Sequence, residues 1–569
     1  MSPTSSPLSP PPPSQPEPQP VHQTNTRSTV RQYRPPRSLP FELSQHVLIY
    51  FEETLYTQAF NLLISLLSSS SASRDPAAAA LVPSPIHLSL AATLAVHPAL
   101  TTRTTSREKH DQANAAFRLL RLTNKIVGPV GADVNSAFAF KRFVTNISRP
   151  AGQRNDCGGG DTDSPTGEEK IDTPFARNES LWSRAEDFWH IVGWAFNCSC
   201  LKSTPMYAQR CERWSLWLEF MLQVLEDDWE VRHEAGECQR SLMWQCIATA
   251  SGGYGKHRRI LRAIFADGSE KATNEFREVF RNELREPTKD SEKVKKREVD
   301  VNVEAEIYGD YMARDDDDLS DEEILPTAGK RARTRDPSTR RVTPRNSTAS
   351  LKGEYENGES EIRSGKAALL GGPETLSLRL RLLHLLSNVA GQFPSDFMEV
   401  EELFTLFVEF IRPLPLPAFQ LVVLPSLFPA FSEDAHLTLC ELLLQRMLEA
   451  AAPNTRSERY LTQSKMENLY LPYAANKASH VDNAKVSLLL ESMLRYFFTA
   501  GSLQQKPELR KALEVGIEAR RRKASNDPQR TGKSDDGVAW AWLTESGERM
   551  RDIVSRLEQH MPLTRSRES

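Results

Sequence analysis

The residues best suited to chemistry in this chain are a scatter of cysteines and histidines, Cys198-Ser-Cys200, Cys211, Cys238 and Cys246 near His190, His233 and His257. These types ligate zinc, but structural zinc is held by four ligands, usually in paired C-x2–4-C knuckles. Here the one close pair is C-x-C, and most of the others fall in apolar helical stretches, where free cysteine fills core. Ser251-Gly-Gly-Tyr-Gly-Lys256 invites comparison with a phosphate-binding loop, yet Ala250 and His257 stand where that loop needs Gly and Ser or Thr. What remains is a set of cations, Lys256, Arg258, Arg259 and Arg262, at the start of a helix. Backbone N–H groups and the helix dipole favour a phosphate there. The plainer reading of the same residues is a Gly-rich turn before a basic helix. His110-Asp111 resembles half of a metal phosphohydrolase pair, but His87 and His97 lie in Pro-broken sequence. Glu226-Asp227-Asp228 reads as the wet end of a helix. Nucleophile-elbow, His-Glu-x-x-His and dinucleotide fingerprints are missing. No catalytic, cofactor-binding or metal-binding residue is assigned, and the chain is read as a non-enzyme without a small-molecule substrate.

A second pattern lies in the charge. Asp315-Asp-Asp-Asp-Leu-Ser-Asp-Glu-Glu323 is followed closely by Lys330-Arg-Ala-Arg-Thr-Arg335, Arg340-Arg341 and Arg345. A compact basic cluster is what an import receptor reads. Lys330, Arg331, Arg333, Arg335, Arg340 and Arg341 are the candidate nuclear localisation signal. Ser320, followed by acids, suits an acidophilic kinase, and Thr343 before Pro344 suits a proline-directed one. Phosphate beside the basic block partly neutralises it.

The 569 residues carry 71 basic and 75 acidic side chains, a net charge of −4, so nucleic-acid affinity would have to come from local patches. A mean hydropathy of −0.49 is low for a wholly folded chain and fits folded domains diluted by polar tails. Seven cysteines at irregular spacing argue against a disulfide framework. The Pro-rich start has no apolar h-region, and Val47 to Leu67 carries Glu52 and Glu53. A reduced, intracellular protein with no membrane partner is expected.

Residues 1–37 read as a disordered Pro/Ser-rich tail. Residues 38–285 read as an N-terminal helical domain, with a disordered insertion near 150–174. Helical spacing marks Phe41 to Phe51, Leu55 to Leu67 and Ala113 to Val127, with a Ser/Ala/Pro-rich connection at Ser68 to Pro85. Seven of the nine tryptophans lie between Trp182 and Trp244. Leu181, Ala185, Phe188, Val192 and Ala195 trace one stripe, and Trp214, Trp217, Leu218, Met221, Leu222, Leu225 and Trp229 a cleaner one. Residues 286–366 read as a disordered acidic/basic linker. A C-terminal helical domain, 367–502, holds five helical candidates, at Glu374 to Val389, Phe397 to Ile411, Ala418 to Phe431, Ala435 to Ala452 and Asp482 to Phe498. A basic polar linker, 503–537, and a last helix within 538–569 complete the chain. The expected fold is all-α, two solenoid-like helical-repeat bodies joined by the linker.

These features point to a nuclear scaffold or adaptor. It binds other nuclear proteins and an import receptor, with its leucine-rich stretch from Leu403 to Phe431 as docking surface and its linker under phosphorylation control. The alternative is a nucleic-acid- or chromatin-associated factor that grips DNA or RNA through Lys256 to Arg262, Lys330 to Arg345 and Arg520 to Lys523.

Overall fold

The computed structural model describes residues 33–72, 75, 77–140, 171–286, 370–424, 433–448, 461–526 and 534–560. It is predominantly helical, as expected. Among the described residues the only sheet is a parallel pair, β1 (Pro36–Ser38) and β2 (Ala80–Val82). The longer helices up to residue 286 are α1 (Phe41–Glu52), α2 (Tyr56–Ser71), α3 (Pro85–Val96), α4 (Arg107–Ile126), α5 (Phe188–Cys200), α6 (Pro205–Glu234), α7 (Leu242–Ala248) and α8 (Lys256–Ile264). From residue 370 onward they are α9 (Pro373–Gln392), α10 (Val400–Ile411), α11 (Leu416–Val423), α12 (Glu433–Met447), α13 (His480–Thr499), α14 (Pro507–Ser525) and α15 (Ser534–His560).

The tryptophan stripe on α6 buries as its spacing demands. Trp214, Trp217, Leu218, Met221, Leu222, Leu225 and Trp229 all face the core, while Glu219 and Glu230 stay on the wet side. Trp217 lies 5.8 Å edge-on to Trp214 and 6.3 Å from Trp182, and Trp182 stacks on Phe138 at 4.9 Å. Each indole buries on the order of 200 Å², so these contacts anchor α6 firmly. The stripe beginning at Leu181 is broken: a single turn, Leu181–Arg184, gives way to α5. The break falls at Asp187, whose side chain caps α5 by accepting a hydrogen bond from His190 N at 2.7 Å.

Two regions differ from expectation. The Pro-broken stretch holding His87 and His97 contains α3, which begins at Pro85. Proline is tolerated at a first helical position because its missing N–H has no intrahelical partner there anyway. The helix is apolar all round and buried on nearly every side, so it shows no amphipathic stripe for a periodicity reading to find. The second is 503–537, expected as a polar linker, where α14 runs from Pro507 to Ser525. Leu509, Leu513 and Ile517 recur every fourth residue and are buried, as is Arg520. Its other face is charged enough to resemble a linker. The segments expected to be disordered at 150–174 and 286–366 lie almost wholly outside the described residues.

The helices on the two sides of the charged segment share one connected apolar core, from Val47 to Val554. α9 packs on α6, and α10 touches α8. Further along, α13 is buried without interruption from Asn483 through Leu494 and is enclosed by α11, α12, α14 and α15. The described part of the leucine-rich stretch proposed as a docking surface, up to Leu424, belongs to this core: Leu403, Phe404, Phe407, Ile411, Phe419 and Val423 are buried.

Helical glycines give a sharp test of the packing. A Cβ at Gly516 in α14 would sit 1.7 Å from the Leu471 carbonyl oxygen, whereas at Gly547 in α15 it would meet Ile517 at an ordinary 3.4 Å. Gly516→Ala is expected to cost more than about 2 kcal/mol through overpacking. Gly547→Ala should be neutral or stabilising by up to about 1 kcal/mol through helix propensity. Urea unfolding of the two variants checks both.

Candidate functional site

The proposed localisation residues Lys330, Arg331, Arg333, Arg335, Arg340 and Arg341, and the phosphorylation candidates Ser320 and Thr343, lie outside the described residues. The phosphate-contact candidates are all visible, and their arginines are engaged within the protein. Arg258 forms a bidentate pair with Glu409 of α10 at 2.7 and 3.3 Å. Arg259 is buried and reaches Asp187 at 2.6 Å and Glu186 at 3.0 Å, with Phe276 5.4 Å beneath its guanidinium. Asp187 also accepts from Ser251 N at 2.7 Å, so one carboxylate ties the Gly-rich turn, α5 and α8 together. Arg262 grips Glu275 with two nitrogens at 2.8 Å. Only Lys256 is left without a carboxylate, and one cation does not make a phosphate cradle. At Arg520 to Lys523 the pattern repeats: Arg520 is buried, Arg521 pairs with Glu548 at 3.2 Å and Arg522 with Glu518 at 3.5 Å.

The cysteines and histidines are structural too. The six described cysteines are buried and unpaired. Burial pushes the Cys440 thiol up to about 12, so it stays protonated although His436 Nε2 lies 3.5 Å away. His436 also faces the Val423 carbonyl at 2.8 Å and Ser492 Oγ at 3.2 Å. Among the described residues no group of three or more His, Cys, Asp or Glu side chains is arranged to hold a metal ion. His110 meets the Thr101 carbonyl at 2.7 Å. Burial also draws Lys485 down to about 8, but its ammonium donates to the Arg412 carbonyl at 2.7 Å and serves as a cap on the end of α10.

The buried carboxylates Glu283 and Asp228 are held by donors on both oxygens. Glu283 accepts from Arg210 Nε at 2.7 Å, from Trp194 and Trp214 Nε1 at 2.9 and 2.7 Å, and from Phe280 N at 3.1 Å. Asp228, read from sequence as part of a wet helix end, is fully buried, and its neighbour Asp227 nearly so. Asp228 accepts from Leu242 N at 2.6 Å and from Arg232 at 2.8 Å, which fastens α7 to α6. A carboxylate held by donors in this way orders the elements around it.

Among the described residues, one place where ionisable side chains converge around open space is the seam of α6 and α9. A groove of about 850 Å³ runs between them. From α6, Glu226, Glu230, His233 and Glu234 line it at i, i+4, i+7 and i+8, one helical face. From α9 come Arg381 and His384. Trp229 forms the apolar base, edge-on to Phe393 at 6.4 Å and stacked near His233 at 6.5 Å. Arg381 and Glu226 close one end with a bidentate pair at 2.7 and 2.5 Å, whose hydrogen bonds hold the guanidinium above its ordinary pKa. Partial burial lowers the pKa of His384, with Glu226 opposing. Glu230, His233 and Glu234 are exposed. The groove is therefore acidic on the α6 side, with an apolar strip along its base. Sequence periodicity places Glu226 and Glu230 on a solvated face but carries no signal that α9 will come to lie beside them.

Arg259 and Arg258 are neighbours in sequence with opposite environments, which yields a direct check. Arg259→Ala strands the buried Asp187 and is expected to destabilise by about 3–5 kcal/mol. Arg258→Ala removes a half-exposed pair and should cost below about 1 kcal/mol. Chemical denaturation of both variants at one salt concentration separates them. Comparison of the chain with protein families, with curated proteins and with solved structures finds no match in any of the three.

Proposed function

We propose that the protein is a non-enzymatic nuclear scaffold. In this reading two helical bodies, one on each side of the charged linker, meet along α6 and α9 and present the groove to basic segments of partner proteins. The observation that carries it is the acidic, tryptophan-based groove at that seam. The other polar clusters described above are closed within the fold by ion pairs and hydrogen bonds. A helix or extended strand with cations on one face and an apolar residue at the contact suits such a surface. The nucleic-acid reading loses support for the same reason. Phosphate would be repelled by Glu230 and Glu234; Arg258, Arg259, Arg262, Arg521 and Arg522 pair with carboxylates, and Arg520 is buried against carbonyls. The import signal at Lys330–Arg335 delivers the scaffold to the nucleus, and phosphorylation at Ser320 and Thr343 tunes it.

Two measurements test this. Glu230→Lys/Glu234→Lys places like charge against a basic partner and should reduce recovery of nuclease-resistant partners at least about tenfold in affinity purification, with thermal stability unchanged. Unchanged partner recovery would move the docking surface elsewhere. Alanine at Lys330, Arg331, Arg333 and Arg335 should abolish nuclear accumulation of the tagged protein, and a variant that stays fully nuclear would remove the import assignment.

A further inference from the structure

We infer that in the free protein the α6–α9 groove is occupied by the chain's own basic block, Lys330–Arg335, which masks the import signal and holds the docking surface against partners. This rests on the groove being a site for basic segments.

The groove and the block are complementary. Glu230 and Glu234 project from one face of α6, and neither has an ion-pair partner among the described residues. The block supplies four cations in six residues, Lys330, Arg331, Arg333 and Arg335, with the small Ala332 between them. A segment of that kind can lay guanidinium groups along the glutamate row and their stems on Trp229, since long basic side chains cover apolar surface while keeping their charge wet.

The chain's connections bring the two together. On its far side the charged segment re-enters the described structure at Leu370, whose carbonyl accepts from Arg379 at 3.3 Å. α9 starts three residues later, and His384 lies about 20 Å along the chain from Leu370 at the helical rise of about 1.5 Å per residue. The stretch from Arg335 to Leu370 has a contour of on the order of 100 Å at about 3.3–3.6 Å per residue. On its near side the segment leaves from Glu286, just past Glu283, which Arg210, Trp194 and Trp214 hold inside the core. Both ends are thus anchored, and the reach exceeds the span several times over. Tethering of this kind gives an effective concentration approaching the millimolar range, so even a contact of roughly 0.1 mM intrinsic affinity is populated. An external partner must compete with it. Phosphate on Thr343, two residues past Arg341, opposes the contact by adding negative charge beside the block.

The experiment uses the full chain. Asn388→Cys, on the α9 wall of the groove, is combined with Thr334→Cys inside the basic block, or with Ser320→Cys inside the acidic run as a control of similar tether length. Bismaleimide crosslinking is quantified by peptide mass spectrometry. The Thr334 pair is expected to exceed the Ser320 pair at least about tenfold, to fall to the control level with Glu230→Lys/Glu234→Lys, and to weaken as salt rises to about 0.5 M. Equal yields for the two pairs, or a Thr334 yield indifferent to the charge reversal, would overturn the inference. A second arm keeps it separate from the docking reading. A fluorescein-labelled peptide spanning 327–346 is titrated into protein carrying Lys330→Glu, Arg331→Glu, Arg333→Glu and Arg335→Glu. Peptide binding that depends on Glu230 and Glu234, without the intramolecular crosslink, sinks the self-occupancy alone. No binding at low salt sinks both.

Discussion

The placement of the groove depends on one buried guanidinium. Arg379 is wholly inside the protein and has no carboxylate partner among the described residues. It donates to the carbonyls of Ile264, Ala266 (2.9 Å) and Leu370 (3.3 Å), approaches Cys200 Sγ at 3.6 Å, and stands 4.0 Å over the Phe196 ring. Burial draws it down to about 10, still well above neutral pH, so it stays charged. Ile264 closes α8, and its carbonyl is one of the orphans that a helix end must satisfy. A cation there also meets the negative pole of the helix. The same side chain therefore caps α8, reads the end of α5 through Phe196 and Cys200, and pins the backbone just before α9. With that pin in place, α9 lies against α6, Arg381 finds Glu226, and the seam opens into a groove.

Similar side chains recur at the other long-range joints. Arg210 and Glu283 tie α6 to the last described residues before the charged segment. Arg259 and Asp187 tie α8 to α5. Glu491, fully buried on α13, is held by Arg549 of α15 at 2.7 and 3.0 Å. Arg520 donates to the Leu471 and Tyr473 carbonyls at 3.0 and 3.2 Å and brings α14 onto the turn where Gly516 makes room. Buried ion pairs rarely raise stability above what apolar residues of equal volume would supply, because desolvation offsets the attraction. What they do impose is geometry: an apolar helix face can slide or rotate with modest loss, whereas a misplaced buried charge is left unpaired at a cost of several kcal/mol. In a stack of helices rich in interchangeable leucines, these joints select one arrangement.

That division explains what the sequence makes legible. Where a helix is amphipathic, as α9 is, spacing alone places it to within a few residues; on α6 it finds the stripe from Trp214 to Trp229 but not the turns from Pro205 that precede it. Where it is buried on all sides, as α3 is, the stripe vanishes and a proline at its first position suggests a break that is a beginning. Where one face is strongly charged, as in α14, composition outweighs the four-residue recurrence of Leu509, Leu513 and Ile517. Charge runs mislead for a related reason. Lys256 to Arg262 and Arg520 to Lys523 look like surface patches because their carboxylate or carbonyl partners lie on elements up to 151 residues away, at Glu409 for Arg258. Asp228 looks solvated until α7 is seen to start on it. Local sequence reports propensity and periodicity, but not which distant group completes a charge.

The groove is the exception that gains meaning from this rule. Glu283, Asp228 and Asp187 inside the core are matched to donors, while Glu230 and Glu234 stay open to solvent beside a buried tryptophan. Being exposed, they incur little desolvation cost in the free protein, and a cationic segment arriving over Trp229 would lower the local dielectric and strengthen its own ion pairs. Arg381 stands at the other end with its charge already engaged by Glu226, so the field along the seam runs one way. A small neutral ligand gains nothing from that gradient, and an anion is repelled by it. A chain segment with cations spaced along several ångströms matches both the length of the glutamate row and its sign.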